Sequence, residues 1–191
     1  MAVLAYNEIT PKKVIEYNGD PYEVLSSHVF RMQQRKPVNQ TRLRNLLSGK
    51  VVEISFHQSE TVPEADVGLL KAVYLYTNRG ESWFSEEGNP KNRFSFPEAA
   101  VHDKVQWLKS NSPVDVMTYK DEPATIKIPI KMELKVTEAP PAVKGDTATG
   151  GNKQVVLESG AIVNTPLFIN PGDIVRINTD TGEYTERVEK A

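Results

Sequence analysis

Apolar and polar residues alternate along this chain in short bursts, and nearly every burst ends in a turn. Val14 to Tyr17 alternates and stops at Asn18-Gly19-Asp20, and Tyr22 to Leu25 resumes the pattern. Thr41 to Leu46 sets Leu43 between Arg42 and Arg44, Ser48-Gly49 turns, and Val51 to Phe56 follows. A period of two broken by Asn-Gly and Ser-Gly turns predicts antiparallel strands joined as hairpins. Leu69 to Tyr76 and Glu81 to Phe84 flank Asn78-Arg79-Gly80, and Val114 to Tyr119 and Ala124 to Ile128 flank Lys120-Asp-Glu-Pro123. Ile130 to Val136, Gln154 to Leu157, Ala161 to Ile169, Asp173 to Asn178 and Glu183 to Val188 supply strands in the last third. One segment has helical period: in Pro97 to Leu108, Val101, Val105 and Leu108 fall at i, i+4 and i+7, and Pro97 suits a first helical turn.

Five short strands with at most one helix is the inventory of an OB-type barrel. The last two thirds each have it, and the first third has the closely spaced hairpins of a small barrel. The expectation is an all-β chain of three small β-barrels in tandem, over 1–66, 67–128 and 129–191, with one short helix in the middle domain. Thr61-Val-Pro-Glu-Ala-Asp66, polar and Pro-containing, reads as the first linker. No close internal sequence repeat is visible, so kinship between the last two thirds would be structural only.

Charge changes this picture in one place. Between Val24 and Val52 there is no Asp or Glu, yet Arg31, Arg35, Lys36, Arg42, Arg44 and Lys50 all fall there, in a chain of net charge −2. Such a local excess suggests a surface that meets polyanion, set against the plain alternative of a solvated basic loop. Arg31-Met-Gln-Gln-Arg-Lys-Pro37 lies between two alternating runs and reads as a hairpin tip. Its arms of about three residues reach about 10 Å beyond the paired strands.

The remaining chemistry is mostly negative. Of 191 residues none is Cys, which excludes disulfides and thiolate metal sites. His28, His57 and His102 show no metal-ligand spacing; His28 enters the basic hairpin and reads as a strand-surface histidine. No nucleophile arrangement or paired-carboxylate pattern suggests an enzyme, and no cofactor is expected. Gly145-Asp-Thr-Ala-Thr-Gly150 has the opening spacing of a phosphate-binding loop, but Gly151 and Asn152 stand where Lys and Ser or Thr belong. It remains a Gly-rich loop whose amides can approach a nucleic-acid backbone. Asn39-Gln-Thr41 is a formal glycosylation sequon with no secretory signal to give it meaning. No signal peptide or membrane-spanning run is apparent, so the cytoplasm is the expected compartment and no membrane partner is expected. The residues alone give a non-enzymatic, multi-barrel, RNA-binding type of protein.

Lys153-Gln-Val-Val-Leu-Glu-Ser-Gly160, Val163-Asn-Thr-Pro-Leu-Phe-Ile169 and Gly172 resemble the C-terminal signature of the bacterial elongation factor P family. Lys144-Gly-Asp-Thr-Ala148, Thr181-Gly-Glu-Tyr-Thr-Glu-Arg-Val188, Gly19-Asp-Pro-Tyr22 and Arg42-Leu-Arg-Asn-Leu-Leu-Ser-Gly49 resemble it too, in the same order along almost the whole chain. Val155 and Thr165 depart from the more usual Ala and Val.

The resemblance implies a KOW/SH3-like barrel followed by two OB barrels, shaped like tRNA. It implies a translation elongation factor that enters a paused ribosome, contacts both subunits and peptidyl-tRNA, and promotes peptide-bond formation at consecutive prolines. A monomer is expected. The hairpin, with Arg31, Gln33, Gln34, Arg35 and Lys36, would face the tRNA acceptor end. Tyr184 and Arg187 would bind tRNA, and Gly145, Asp146 and Thr147 would face the small subunit and the exit-site mRNA codon. At the tip the sequence departs from the family, which usually has Lys-Pro-Gly-Lys-Gly or a variant with Arg at the apex, often modified there. Gapless alignment puts Gln34 at that apex, with Arg35 and Lys36 beside it as alternatives. Gln accepts neither lysine-type nor arginine-type modification. The tip therefore reads as one that works unmodified, with Arg35 as the long cation and Pro37 stiffening one arm. Two other readings stand beside this one: a paralogue with a different stall specificity, and a general OB-fold RNA binder. The second needs aromatic stacking platforms, and Phe30 alone lies near the tip.

Overall fold

The structure, a computed structural model, describes residues 2–31, 36–141 and 151–191. Among these the chain is all-β with a single α-helix. In the first third, β1 (Val3–Ala5) pairs with β6 (Thr61–Pro63), and β2 (Val14–Tyr17), β3 (Asp20–Phe30), β4 (Val38–Asn45) and β5 (Val51–His57) form an antiparallel meander. The β2–β3 turn is Asn18-Gly19, both at positive φ (52° and 87°), as a two-residue hairpin of primed type requires. Leu4 and Val62 from the small sheet close over Ile9, Ile15, Val24, Leu43 and Phe56 to make one core. The segment expected as a linker thus begins as a strand. That strand buries one apolar side chain, Val62, too little to show as a period, and its partner Leu4 is far away in sequence.

The middle third contains β7 (Val67–Asn78), β8 (Glu81–Glu86), β9 (Asn89–Pro97), α1 (Glu98–Val105), β10 (Pro113–Tyr119) and β11 (Glu122–Lys127), in the sheet order β11-β10-β7-β8-β9. The last third contains β12 (Lys131–Glu138), β13 (Asn152–Leu157), β14 (Ile162–Pro166), β15 (Ile174–Asn178) and β16 (Glu183–Glu189), in the order β14-β13-β12-β15-β16. Renumbered within its own third, each sheet runs 3-2-1-4-5, a Greek key with a fifth strand added, as in an OB barrel. In the last third β14 also approaches β16, which brings the two sheet edges together. Two segments without a shared sequence repeat therefore reach one topology. The helix joins the third and fourth strands of the middle sheet, where turns make the same connection in the last.

α1 ends at Val105, earlier than its pattern suggests. Trp107 and Leu108 continue in tight turns, their amides donating to the Lys104 and Val105 carbonyls at 3.2 and 2.9 Å. Val101, Val105 and Leu108 are all buried, so the apolar period is real although the helix is short.

The chain divides into two compact units, Met1–Val101 with Pro113–Ile126, and His102–Ser112 with Lys127–Ala191. In the first, Val14, Leu46, Ala65, Tyr119 and Ala124 form a shared cluster, and the Tyr119 hydroxyl donates to the Glu16 carboxylate at 2.7 Å. In the second, Trp107 joins Leu134, Val136, Val155, Leu157 and Ile177 in the core.

Gly49 ends the Leu46–Gly49 turn at φ 72°, and a Cβ there would lie 2.8 Å from the Ala100 Cα. Gly49→Ala combines left-handed strain with an immovable backbone neighbour and is expected to cost about 2–3 kcal/mol. Gly19, at φ 87°, has nothing within 4 Å of such a Cβ, so Gly19→Ala isolates the strain alone. Urea midpoints of the two variants, at unchanged m, measure the difference.

Candidate nucleic-acid interface

The basic stretch folds as the β3–β4 hairpin, paired from Tyr22–Asn45 to Phe30–Val38 with a bulge between Val24 and Ser26. Alternation sends Asn39, Thr41, Leu43 and Asn45 inward and Gln40 and Arg42 outward, with Arg44 half-buried. The inward side-chain donors are tied down. The Asn39 Nδ2 donates to the carbonyls of Tyr6 and Ile9 at 2.6 and 3.0 Å, and the Thr41 hydroxyl donates to the Ile54 carbonyl at 2.8 Å. The Asn45 Nδ2 donates to Asp20 at 2.9 Å, and its Oδ1 accepts the amides of Leu47 and Ser48 at 2.9 Å each. The sequon-like Asn39 is therefore a fully buried anchor that fixes the strand carrying the outward cations.

On the outward face three rungs cross β3, β4 and β5: Ser26–Arg42–Glu53, His28–Gln40–Ser55 and Phe30–Val38–His57. Arg31 and Lys36 follow the last rung and are exposed, as are Arg42 and Lys50. Gln33, Gln34 and Arg35 lie outside the described residues, as do Gly145, Asp146 and Thr147.

Tyr184 and Arg187 lie on β16, opposite Ile177 and Val175. Tyr184 packs half-buried against the second unit's core, and burial pushes its phenol pKa up. Arg187 is held from two sides: its Nη1 donates to the Asp173 Oδ2 at 3.4 Å, and its guanidinium lies 5.0 Å from the Phe168 ring centroid. Asp173 is 1% exposed and also accepts the Asn170 and Ala191 amides at 3.0 Å each. Burial opposes its charge, but the Ala191 and Asn170 amides and the Arg187 guanidinium outweigh that and hold its carboxyl below the usual value. Phe168 is 54% exposed.

Sequence reasoning picked out Tyr184 and Arg187 but missed Asp173 and Phe168. Leu167-Phe-Ile169 lies at the end of the strand expected over Ala161 to Ile169 and is apolar throughout, so nothing in it separates the fully buried Ile169 from Phe168, which turns outward. A single Asp at the start of a strand carries no signal. Other cations also meet acids: Arg176 bridges Glu133 and Glu186, Lys71 meets Asp115, and Lys109 meets Glu158. Among the described residues no three His, Cys, Asp or Glu side chains group as metal ligands, and no helix is long and apolar enough to cross a membrane.

Residues 6–62 match the family model for the KOW-like domain of elongation factor P, and residues 132–187 match that for its C-terminal region. An elongation factor P of Thermodesulfovibrio yellowstonii is 38% identical over 176 residues, covering 92% of this chain and 94% of that protein. One from Moorella thermoacetica is 38% identical over 185 residues, covering 97% of this chain and all (100%) of that one. A solved structure described as eukaryotic translation initiation factor 5A from Methanococcus jannaschii aligns at TM-score 0.49 and 11% identity, covering 67% of this chain and 92% of that chain.

Proposed function

Because the chain belongs to the elongation factor P family, we propose that it binds the ribosome beside peptidyl-tRNA and promotes peptide-bond formation at polyproline stalls. It is a translation elongation factor. The observation that carries the finer reading is the anchored β3–β4 hairpin. Its inward face is fixed by Asn39, Thr41 and Asn45, and its outward face and tip present Arg42, Arg31 and Lys36 in an acid-free run. A rigid cationic arm suits phosphate contacts that position rather than read sequence. Holding peptidyl-tRNA in a reactive pose lowers the entropic cost of alignment, and the ribosome performs the chemistry, so the protein itself is not an enzyme. In this reading the tip residues Arg31, Gln33, Gln34, Arg35 and Lys36 face the acceptor end. Tyr184 and Arg187 touch the tRNA body, and Gly145, Asp146 and Thr147 meet the small subunit. The protein works as a cytoplasmic monomer.

A translation reporter carrying Pro-Pro-Pro tests it. The wild type relieves the stall, and Arg31→Gln with Lys36→Gln relieves it several-fold less. The double variant also flattens the log–log salt dependence of ribosome binding by about 0.7–0.9 for each phosphate that is no longer neutralised. A wild type that leaves the stall in place sinks the reading. Gln34 at the aligned apex favours one further reading, a family paralogue with other stall preferences, and a reporter panel with varied stall codons separates the two.

A further inference from the structure

On the outward face of the hairpin the rings of His28 and Phe30 lie 6.1 Å apart between centroids and 21° from parallel. They stand two residues apart on β3 and so share a face. Their neighbours across the sheet are Gln40 and Ser55 on one rung and Val38 and His57 on the other. His28 is exposed and Phe30 half-buried, and neither belongs to the seven-residue core of this domain, Leu4, Ile9, Ile15, Val24, Leu43, Phe56 and Val62. The fold does not require this ring pair for its interior. Arg42 is on the adjoining rung, and Arg31 and Lys36 follow the outer rung. Among the described residues on these three rungs the acid is Glu53, opposite Arg42 and on the far side of the His28 rung from the tip.

We propose that the His28–Phe30 ring pair is a stacking ledge for an unpaired ribonucleotide, with Arg31, Lys36 and Arg42 holding the adjoining phosphates. This rests on the RNA-facing role proposed above for the hairpin. Aromatic rings displayed on a sheet surface and interleaved with cations are the arrangement by which single-stranded RNA is held, because every base has a face to stack. The spacing selects the mode. Inserting a base between two rings needs about 7 Å, twice the about 3.4 Å rise of stacked bases. At 6.1 Å the pair is too close for that, so the base caps the pile. The Gln40 amide, opposite His28, offers a donor and an acceptor to the edge of a capping base. The surroundings disfavour a protein partner, since Ser26, Gln40, Ser55 and His57 set polar groups around the rings and the one apolar neighbour on these rungs is the half-buried Val38.

The test uses the full-length protein and two RNA minihelices, one blunt and one with a four-nucleotide unpaired 3′ end, followed by fluorescence anisotropy. The wild type prefers the overhang by about fivefold to a hundredfold, the range for stacking one base. His28→Leu and Phe30→Leu each remove most of that preference without changing the salt slope, and His28→Tyr keeps it. Arg42→Gln weakens binding to both RNAs and flattens the slope. A wild type without overhang preference, or leucine variants that retain it, overturns the ledge. Should Phe30→Leu fail to fold in a thermal melt, the exposed His28→Leu decides. Stall relief by the wild type is scored separately: its failure removes the elongation reading, and the minihelix preference still judges the ledge.

Discussion

Trp107→Ala is expected to lower the stability of the second compact unit by about 3–5 kcal/mol, the range for truncating a large buried aromatic side chain. Trp107 is 3% exposed and belongs to the core formed by Leu134, Val136, Val155, Leu157, Val163, Ile169, Val175 and Ile177. It comes from the short segment His102–Ser112, which the second unit takes from the middle of the chain. Gly182 flanks the indole: a Cβ there would rest in ordinary contact, 3.7 Å from the ring. The indole also carries a cost, since its buried Nε1 has no hydrogen-bond partner among the described residues. Trp107→Phe removes that orphan donor together with some volume, so it loses less than the alanine truncation. The chain has two tryptophans, and the other, Trp83, lies half-buried on β8 in the first unit. Fluorescence of Trp107→Phe in urea therefore follows the first unit through Trp83. Far-ultraviolet dichroism follows the whole chain. In Trp107→Ala the dichroism transition moves to lower urea and the Trp83 transition stays closer to its wild-type midpoint. Coincident shifts in both probes would show instead that the chain unfolds as one cooperative block.

The placement of Trp107 shows where the sequence stops being legible. The i, i+4, i+7 pattern of Val101, Val105 and Leu108 finds a helix, because burial on one side of a helix leaves a local trace. Nothing local says which core receives the indole two residues after that helix ends. The same division holds elsewhere. β2 has the bounds Val14–Tyr17 that its alternation and Asn18-Gly19 imply, and the hairpin ladder ends at Phe30–Val38, as a tip read over 31–37 implies. β9 escapes detection because Asn89-Pro-Lys-Asn-Arg93 is exposed and polar, and pairing with β8 makes it a strand. β1 and β6 escape because each offers one buried residue and a partner about sixty positions away. At the candidate interface the cations are visible as composition. The ring pair on their strand is not, because a stacking geometry needs a known face and register.

Asp173→Ala is expected to cost the folded protein about 3 kcal/mol at neutral pH, because it leaves two amides and a partly buried guanidinium without their acceptor. The Asn170 and Ala191 amides and Arg187 all converge on this carboxylate, which is 1% exposed. Its pKa is lowered on folding, so the unfolded chain binds the proton more readily. The contribution of the charge is complete above the unfolded value of about 3.9 and is lost as pH falls through the lower folded value. The stability difference between wild type and Asp173→Ala should therefore hold steady from neutral pH down to about pH 5 and shrink on further acidification. Urea denaturation at a series of pH values reads this directly. A difference that stays constant into strong acid would mean that the lost hydrogen-bond geometry, not the charge, carries the effect. Asp173→Asn separates the two further, since the amide keeps one acceptor but cannot pair with Arg187 as an ion. The same variant bears on function. Asp173 and the Phe168 ring fix the Arg187 guanidinium from two sides, so under the proposed tRNA contact Asp173→Asn weakens stall relief at temperatures where the fold is intact. Arg187→Lys, which keeps the charge but loses the planar guanidinium that lies over the Phe168 ring, should show the same loss without the acid-range change in stability.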